Sequence, residues 1–175
     1  MQEVVPTWTS VTEGGGCTLV RDEGGALEKR GGKDAYDTCA VSEQEISRRA
    51  GGGSEPQGLT WRAGTADKSF VMGLSRGEGG TGWPQKRDFA MYCSGDGRLN
   101  IYEQGSWVRG SGYAGSFGQY RPSDQLEIRV VADTVSYHLN GRLLHTSAQK
   151  PAFPLRADCL FYQPGGRVEG VRLRC

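Results

Sequence analysis

Two catalytic motifs overlap in the segment MGLSRGEGGTGW, residues 72–83. Gly73 to Gly77 spells G-x-S-x-G, which is typical of a nucleophilic serine at a strand-to-helix turn. Gly77 to Gly82 spells G-x-G-x-x-G, which is typical of a glycine turn that brings a phosphate to a helix N-terminus. Both chemistries need a helix after the motif, and the glycines and proline that follow Ser75 disfavour one. The sequence therefore predicts neither activity, and we interpret Phe70 to Ser75 as a core strand followed by a glycine-rich loop.

Glycine supplies 28 of the 175 residues, and its clusters separate short segments of alternating hydrophobicity. Such spacing is typical of short strands joined by turns. We expect strands at 7–12, 17–20, 38–46, 59–63, 70–75 and 167–174. Asp96-Gly97 and Asn140-Gly141 tolerate the backbone angles of tight hairpin turns. The alternation around them predicts a hairpin within 88–103 and a three-stranded meander from about 125 to 146.

One segment is ambiguous in type. Ser42 and Glu45 form a capping-box pattern and Gly51 could end a helix, so Ser42 to Arg49 fits one short helix as well as a strand. The other alternating segments and the glycine-rich turns between them favour an all-β, antiparallel sandwich or barrel. The length predicts a single domain over 1–175.

Charge and hydropathy exclude several classes of partner. The 21 Lys and Arg balance 20 Asp and Glu, without the clustered cations that nucleic-acid binding needs. The apolar runs are far shorter than the roughly 20 residues of a membrane span, so no transmembrane segment is predicted. No signal peptide is expected from the first residues. A soluble chain follows, and a mature secreted protein and a peripheral subunit of an organellar complex both fit it.

A set of short motifs recurs along the chain in a characteristic order: Trp8, Leu27–Lys29, Asp37–Ser42, Phe70–Ser75, Asp88–Tyr92, Asp96-Gly97, Ile101–Gly105, Tyr137–Gly141 and Pro154-Leu155. This order resembles lectin-like modules of the concanavalin A-like lectin/glucanase superfamily, which are jelly-roll sandwiches of two antiparallel sheets. The resemblance covers nearly the whole chain, and the Tyr-x-x-Asn-Gly hairpin also resembles its counterpart in SPRY and laminin G domains.

The resemblance also implies that the strand with Cys39 lies beside the strand with Cys159. We therefore predict a Cys39–Cys159 disulfide among the five cysteines. Members of this superfamily bind glycans, bind proteins or hydrolyse glycosides, so the fold leaves the function open.

The acids of the sequence do not form a glycosidase pattern. The glucanase branch uses E-x-D-x-E on one strand, since alternate carboxylates share a face. Glu43 and Glu45 lack the middle acid, and Asp124 and Glu127 have the wrong spacing. A legume-lectin type of metal site needs an Asp-rich loop, which is not evident. No catalytic residue, metal ligand or cofactor is predicted.

Aromatic residues in glycine- and serine-rich loops are the best candidates for a binding site. Aromatic faces stack on the apolar C–H side of sugars and anchor protein interfaces. The candidate residues are Trp83, Trp107, Tyr113 and Tyr120. The sequence predicts a non-catalytic module that binds a glycan or a protein surface. The alternatives are an accessory structural subunit of a large complex and, third, a glycoside hydrolase using Glu43 and Glu45.

Overall fold

The computed structural model describes residues 2–49, 53–77, 80–83 and 87–175. These residues form fifteen strands: β1 (Glu3–Val4), β2 (Trp8–Glu13), β3 (Cys17–Arg21), β4 (Leu27–Gly31), β5 (Thr38–Ile46), β6 (Gln57–Ala63), β7 (Phe70–Ser75), β8 (Phe89–Cys93), β9 (Leu99–Glu103), β10 (Ser106–Val108), β11 (Gln125–Val131), β12 (Thr134–Leu139), β13 (Arg142–Thr146), β14 (Leu155–Phe161) and β15 (Arg167–Arg174). In these described ranges, the only helical element is a 3-10 turn at Tyr113–Gly115, and no helix is long and apolar enough to cross a membrane.

The strands form two antiparallel sheets that pack face to face. The front sheet has the order β10-β9-β8-β7-β14-β5-β2, and the back sheet has the order β13-β12-β11-β6-β15-β4-β3 with β1 beside β15. Alternate residues of each strand enter the core between the sheets, as period-2 geometry requires. Phe70, Met72 and Leu74 of β7, for example, pack into the same core as Leu126, Ile128 and Val130 of β11. The predicted all-β jelly-roll sandwich is confirmed.

The predicted hairpin turns are formed at Asp96-Gly97 and at Asn140-Gly141. Gly97 between β8 and β9 has φ +78°, and Asn140-Gly141 between β12 and β13 has φ +50° and +78°. The left-handed region is open to Gly and tolerated by Asn, so these dipeptides permit tight hairpins. The hairpin within 88–103 and the meander from about 125 to 146 are both formed.

The ambiguous segment is a strand as far as Ile46, and the helical alternative is wrong. Ser42 does not cap a helix, because its Oγ donates to the Gln44 carbonyl at 2.7 Å and accepts from the Ala157 amide at 3.0 Å. Ile46 is fully buried in the core. Pairing with β14 therefore overrides the local capping pattern.

The predicted Cys39–Cys159 disulfide is not formed, and all five cysteines are free. Their strands, β5 and β14, are neighbours as expected, but Cys159 pairs with Ala40 and Cys39 pairs with Leu160. Since successive residues point to opposite faces, Cys159 enters the core between the sheets, whereas Cys39 packs on the outer face of the front sheet. A one-residue difference in register thus separates the two thiols.

Candidate functional site

Aromatic side chains cover the outer face of the front sheet. Trp83 packs on Tyr102 of β9 with ring centroids 4.7 Å apart and on Tyr92 of β8 at 5.6 Å. Tyr36 lies 6.2 Å from Trp83 and 4.7 Å from Tyr162. We call these five residues the outer aromatic cluster; all are half-buried, so each retains some exposed surface.

Small and aliphatic side chains form the floor of the outer aromatic cluster, namely Cys39, Val71, Ala90 and Leu160. Burial, with the neighbouring Tyr92, raises the pKa of Tyr36 and of Tyr102 above the ordinary value of 10. Both phenols therefore stay neutral at physiological pH. They offer hydrogen bonds and apolar ring surface rather than charge.

A buried lysine fixes one side of the cluster. Lys29 of β4 is fully buried, and its Nζ donates to the carbonyl oxygens of Lys33, Ala35 and Tyr162 and to Asp37 Oδ1, at 2.6–3.0 Å. The Ala35 amide also donates to the Tyr162 carbonyl at 3.1 Å. Because these groups flank Tyr36 and include Tyr162, the ammonium holds the two tyrosine backbones in register.

A buried ion pair fixes the other side, next to Trp83. Arg87 and Asp158 of β14 are both fully buried, and Arg87 Nη2 donates to Asp158 Oδ1 at 2.7 Å. Arg87 also donates to the carbonyl oxygens of Gly80 and Gly82 at 3.1 Å each. Trp83 lies between Gly82 and Arg87 in the chain, so the ion pair and these hydrogen bonds hold Trp83 next to the front sheet.

Two further aromatic side chains are prominently exposed. Trp107 of β10 is 43% exposed and Tyr113 in the 3-10 turn is 85% exposed. Trp107 pairs in register with Tyr102, so the two side chains lie on the same face of the front sheet. The aromatic surface thus extends from the outer aromatic cluster to the sheet edge. Arg98 lies over the Tyr113 ring, with Cζ 5.8 Å from its centroid.

The loop that carries Tyr113 and packs against Trp107 is closed by its own backbone hydrogen bonds. Gly110 N donates to the Gly115 carbonyl at 2.7 Å and Gly112 N donates to the Ser116 carbonyl at 2.8 Å. Gly115 has φ +78°, and a Cβ there would lie 2.6 Å from Trp107 Cη2. The indole therefore rests against bare backbone, which only glycine provides at this position. Trp107 is held in place before any ligand arrives.

Tyr120, the fourth predicted binding residue, is not on this surface, and that prediction needs correction. Its ring is only 2% exposed and packs edge-on against Phe70 at 6.3 Å. Its hydroxyl donates to the Ser94 carbonyl at 3.0 Å. The Tyr120 amide bonds to the Gly97 carbonyl, which turns the side chain inward, so this residue closes one end of the core.

The overlapping catalytic motifs do not assemble an active site in the described residues. Ser75 ends β7, and its buried hydroxyl donates to Asp158 Oδ2 at 2.9 Å. Both histidines belong to β12 and β13 of the other sheet. Glu78 and Gly79 of the G-x-G-x-x-G motif lie outside the described residues.

The candidate glycosidase acids are mostly engaged elsewhere. Glu45 pairs with Arg156 at 3.2 Å, and Glu127 pairs with Arg129 at 2.8 Å. Asp124 accepts from the Arg121 amide and from Asn140 Nδ2. Glu43 is exposed on β5.

Sequence reasoning missed Tyr36, Tyr162 and the Arg87–Asp158 pair. The two tyrosines are distant in sequence, and neither lies in an alternating pattern that marks its face. A buried arginine carries no local signal either, since arginine is usually exposed. Tyr92 and Tyr102 lie in predicted strands, and their alternation with core residues could have placed them on the outer face.

Comparison with known proteins gives structural likeness only. No protein-family model matches the sequence, and no curated protein matches it. Solved structures do match: the SPRY domain of human HERC1 is similar with a TM-score of 0.59 and 15% identity, covering 89% of this chain and 92% of that one. The PSpry domain of TRIM65 is similar with a TM-score of 0.54 and 16% identity, covering 97% and 91%.

The carbohydrate recognition domain of Emp46p is similar with a TM-score of 0.56 and 12% identity, covering 95% of this chain and 86% of that one. A sialidase and stonustoxin also match, over 16% and 28% of their own lengths. The chain therefore has the concanavalin A-like fold that SPRY and lectin domains share. At these identities the likeness establishes the fold and not the ligand.

Proposed function

We propose that the chain is a non-catalytic binding module that recognises a glycan or a protein surface through Trp107, Tyr113 and the outer aromatic cluster. The observation that supports this most directly is the exposure of Trp107 on β10, packed against Gly115, and of Tyr113 in a loop closed by backbone hydrogen bonds. Large exposed aromatic side chains that are already held in place bind with little loss of conformational entropy. The fold likeness to SPRY and carbohydrate recognition domains is consistent with this proposal.

The charge distribution suits a neutral or mildly anionic ligand. Arg109 lies beside Gly115, and Arg98, which pairs with Asp96, lies over the Tyr113 ring. The tyrosines of the outer aromatic cluster supply hydroxyl groups. Aromatic faces combined with a few hydrogen-bonding groups fit the alternating apolar and polar faces of a sugar. The same combination, with arginine, is typical of the energetic centre of a protein interface.

The test is a glycan array run beside an affinity purification from source cells, with wild-type chain and three variants. Trp107→Ala and Tyr113→Ala remove the exposed rings. Leu143→Ala is the matched control, because Leu143 is 54% exposed but belongs to β13 of the back sheet. We expect Trp107→Ala and Tyr113→Ala to weaken binding roughly tenfold or more, as loss of an interface anchor does, and Leu143→Ala to bind normally.

A second pair of variants tests whether the position of the indole matters. Gly115→Ala places a Cβ against Trp107, whereas Gly118→Ala meets open space, and both glycines have positive φ. We expect only Gly115→Ala to shift tryptophan fluorescence and weaken binding. The proposal fails if the Trp107 and Tyr113 variants bind as tightly as wild type. Co-purification with one complex, unaffected by those variants, would instead support the accessory-subunit alternative.

A further inference from the structure

A second, chemically different pocket lies on the outer face of the back sheet. It has a volume of about 290 Å³, and its walls include the side chains of Arg62, Arg172 and Arg174. Thr60 and Gln125 add polar groups, and Glu3 supplies a single carboxylate. The pocket is on the opposite side of the sandwich from the aromatic surface, so it is independent of the proposed function.

A β-bulge shapes this pocket. Glu169 of β15 pairs with Arg62 of β6, but the next aligned pair is Arg172 with Thr60. Gly170 and Val171 therefore oppose a single residue of β6, which bends the strand and redirects its side chains. Gly170 has φ +56°, and a Cβ there would lie 3.2 Å from Arg62 Nη2. The Arg62 guanidinium thus lies over the bare backbone of the bulge.

Most arginines on this face are neutralised by neighbouring carboxylates. Arg167 pairs with Glu28 and Glu169, Arg30 pairs with Glu28, and Arg129 pairs with Glu127. Arg174 bridges Glu3 and Glu127 at 3.2 Å each. These pairs show that the face is otherwise balanced in charge.

Arg62 and Arg172 differ from the others. Among the residues that the structure describes, neither guanidinium pairs with a carboxylate. Arg172 Nη1 donates to the Gly24 and Val171 carbonyl oxygens at 3.0 and 2.9 Å, which fixes the side chain and leaves its Nη2 donors for a ligand. Two of the three arginines that line the pocket are therefore left without a paired carboxylate, since the Glu3 carboxylate in the lining pairs with Arg174.

We infer that this pocket binds an oxyanion, a phosphate or carboxylate group carried by a ligand or partner. Guanidinium groups bind such anions through paired, charge-assisted hydrogen bonds. Thr60 and Gln125 complete the polar lining, and Gly170, which has no side chain, leaves room for the Arg62 guanidinium at the pocket wall.

The experiment measures binding of two probes, inorganic phosphate and citrate, to the whole chain by calorimetric titration at low ionic strength. The test variant is Arg62→Gln with Arg172→Gln. The matched control is Arg30→Gln with Arg76→Gln, which removes the same net charge from two side chains that are each about 60% exposed and lie outside the pocket. Thermal unfolding of each variant shows that it is folded.

We expect saturable binding of at least one probe, weakened tenfold or more in Arg62→Gln/Arg172→Gln and less than twofold in the control. Tighter binding of phosphate would identify a phosphate site, and tighter binding of citrate a carboxylate site. Equal weakening in both double variants would overturn the inference, because the effect would then come from net charge alone. Lack of saturable binding of both probes would overturn it too. Trp107→Ala should leave binding of either probe unchanged.

Discussion

At the scale of single residues, the Lys29 ammonium organises one side of the aromatic surface. It joins three carbonyl oxygens and the Asp37 carboxylate at a point that adjoins Tyr36 and Tyr162. Burial alone would raise the pKa of Asp37, but the Lys29 ammonium, the Thr38 hydroxyl and the Cys17 thiol outweigh it and hold that pKa below 3.8. The ionised carboxylate is thus the form that the folded state prefers.

This preference predicts the pH dependence of stability. A carboxyl whose pKa is lower in the folded state stabilises the protein above its unfolded pKa, and the contribution is lost as pH falls through the folded pKa. We expect Asp37→Asn to lower the free energy of unfolding by about 1.5–3 kcal/mol at pH 7, the range for hydrogen bonds to charged groups.

The difference between Asp37→Asn and wild type should begin to shrink below about pH 3.8, where the carboxyl of the unfolded chain takes up a proton, and should shrink further as pH falls through the lower pKa of the folded state. Urea unfolding from pH 7 to pH 3 measures this, with Asp34→Asn as the control for a nearby exposed acid in the same turn. A difference that stays constant with pH would show that Lys29 does not hold the Asp37 carboxylate in its ionised form.

At the scale of elements, the Arg87–Asp158 ion pair attaches the described residues Gly80 to Trp83 to the front sheet, because Arg87 also donates to the Gly80 and Gly82 carbonyl oxygens. Arg87 and Asp158 are fully buried, so removal of either partner leaves a charge without compensation in the protein interior. Such a loss typically costs about 3–5 kcal/mol, although the intact pair contributes less because both charges had to leave water. The ion pair therefore fixes the position of Gly80, Gly82 and Trp83 relative to the front sheet.

A double-mutant cycle tests this attachment. We expect Arg87→Met and Asp158→Asn each to be strongly destabilising, and the double variant to be less unstable than the sum by about 1–3 kcal/mol. Trp83 fluorescence should shift to the red in every variant that lacks the pair. The surface pair Arg76–Asp88, at 3.3 Å and mostly exposed on the arginine side, is the control and should give less than about 1 kcal/mol of coupling. Coupling no larger than in this control would contradict the proposed attachment.

Most of the strands could be predicted from sequence because they carry their own alternation, whereas Leu27–Gly31, Ser106–Val108 and Leu155–Phe161 are not predicted from alternation. Phe89, Met91 and Cys93 mark one face of β8 without reference to any other strand. Contacts between elements carry no such signal: Arg87 and Asp158 are 71 residues apart, and only the assembled sheet brings them together. The same limit explains Tyr120. A glycine-rich loop around an aromatic residue predicts that its side chain is exposed, as it does for Trp107 and Tyr113. Tyr120 is buried instead because Gln119 pairs with Arg98, which directs the following side chain, that of Tyr120, into the core.

At the scale of the whole molecule, packing of two sheets stabilises the fold without a disulfide. All five cysteines are free, and four of them are buried. Burial raises the pKa of the Cys93 and Cys159 thiols above the ordinary value of 9, which suppresses the reactive thiolate form. Cys175 is half-buried and is the most accessible thiol.

Thiol titration with a disulfide reagent measures this directly. We expect only Cys175 to react quickly in the native protein, and all five cysteines to react in denaturant. Cys175→Ser should remove the fast phase, while a reducing agent should leave the melting temperature unchanged. Fewer than five reactive thiols in denaturant would show that a disulfide forms.

The surroundings of Lys29 have a consequence for the whole sandwich. Four oxygen atoms at 2.6–3.0 Å around one nitrogen form a partial coordination shell of the kind that proteins build for small cations. In this protein the cation is covalently tethered to β4, so neither dilution nor a chelator can remove it. The turn that leads to Tyr36 is therefore organised by a cation that belongs to the chain itself.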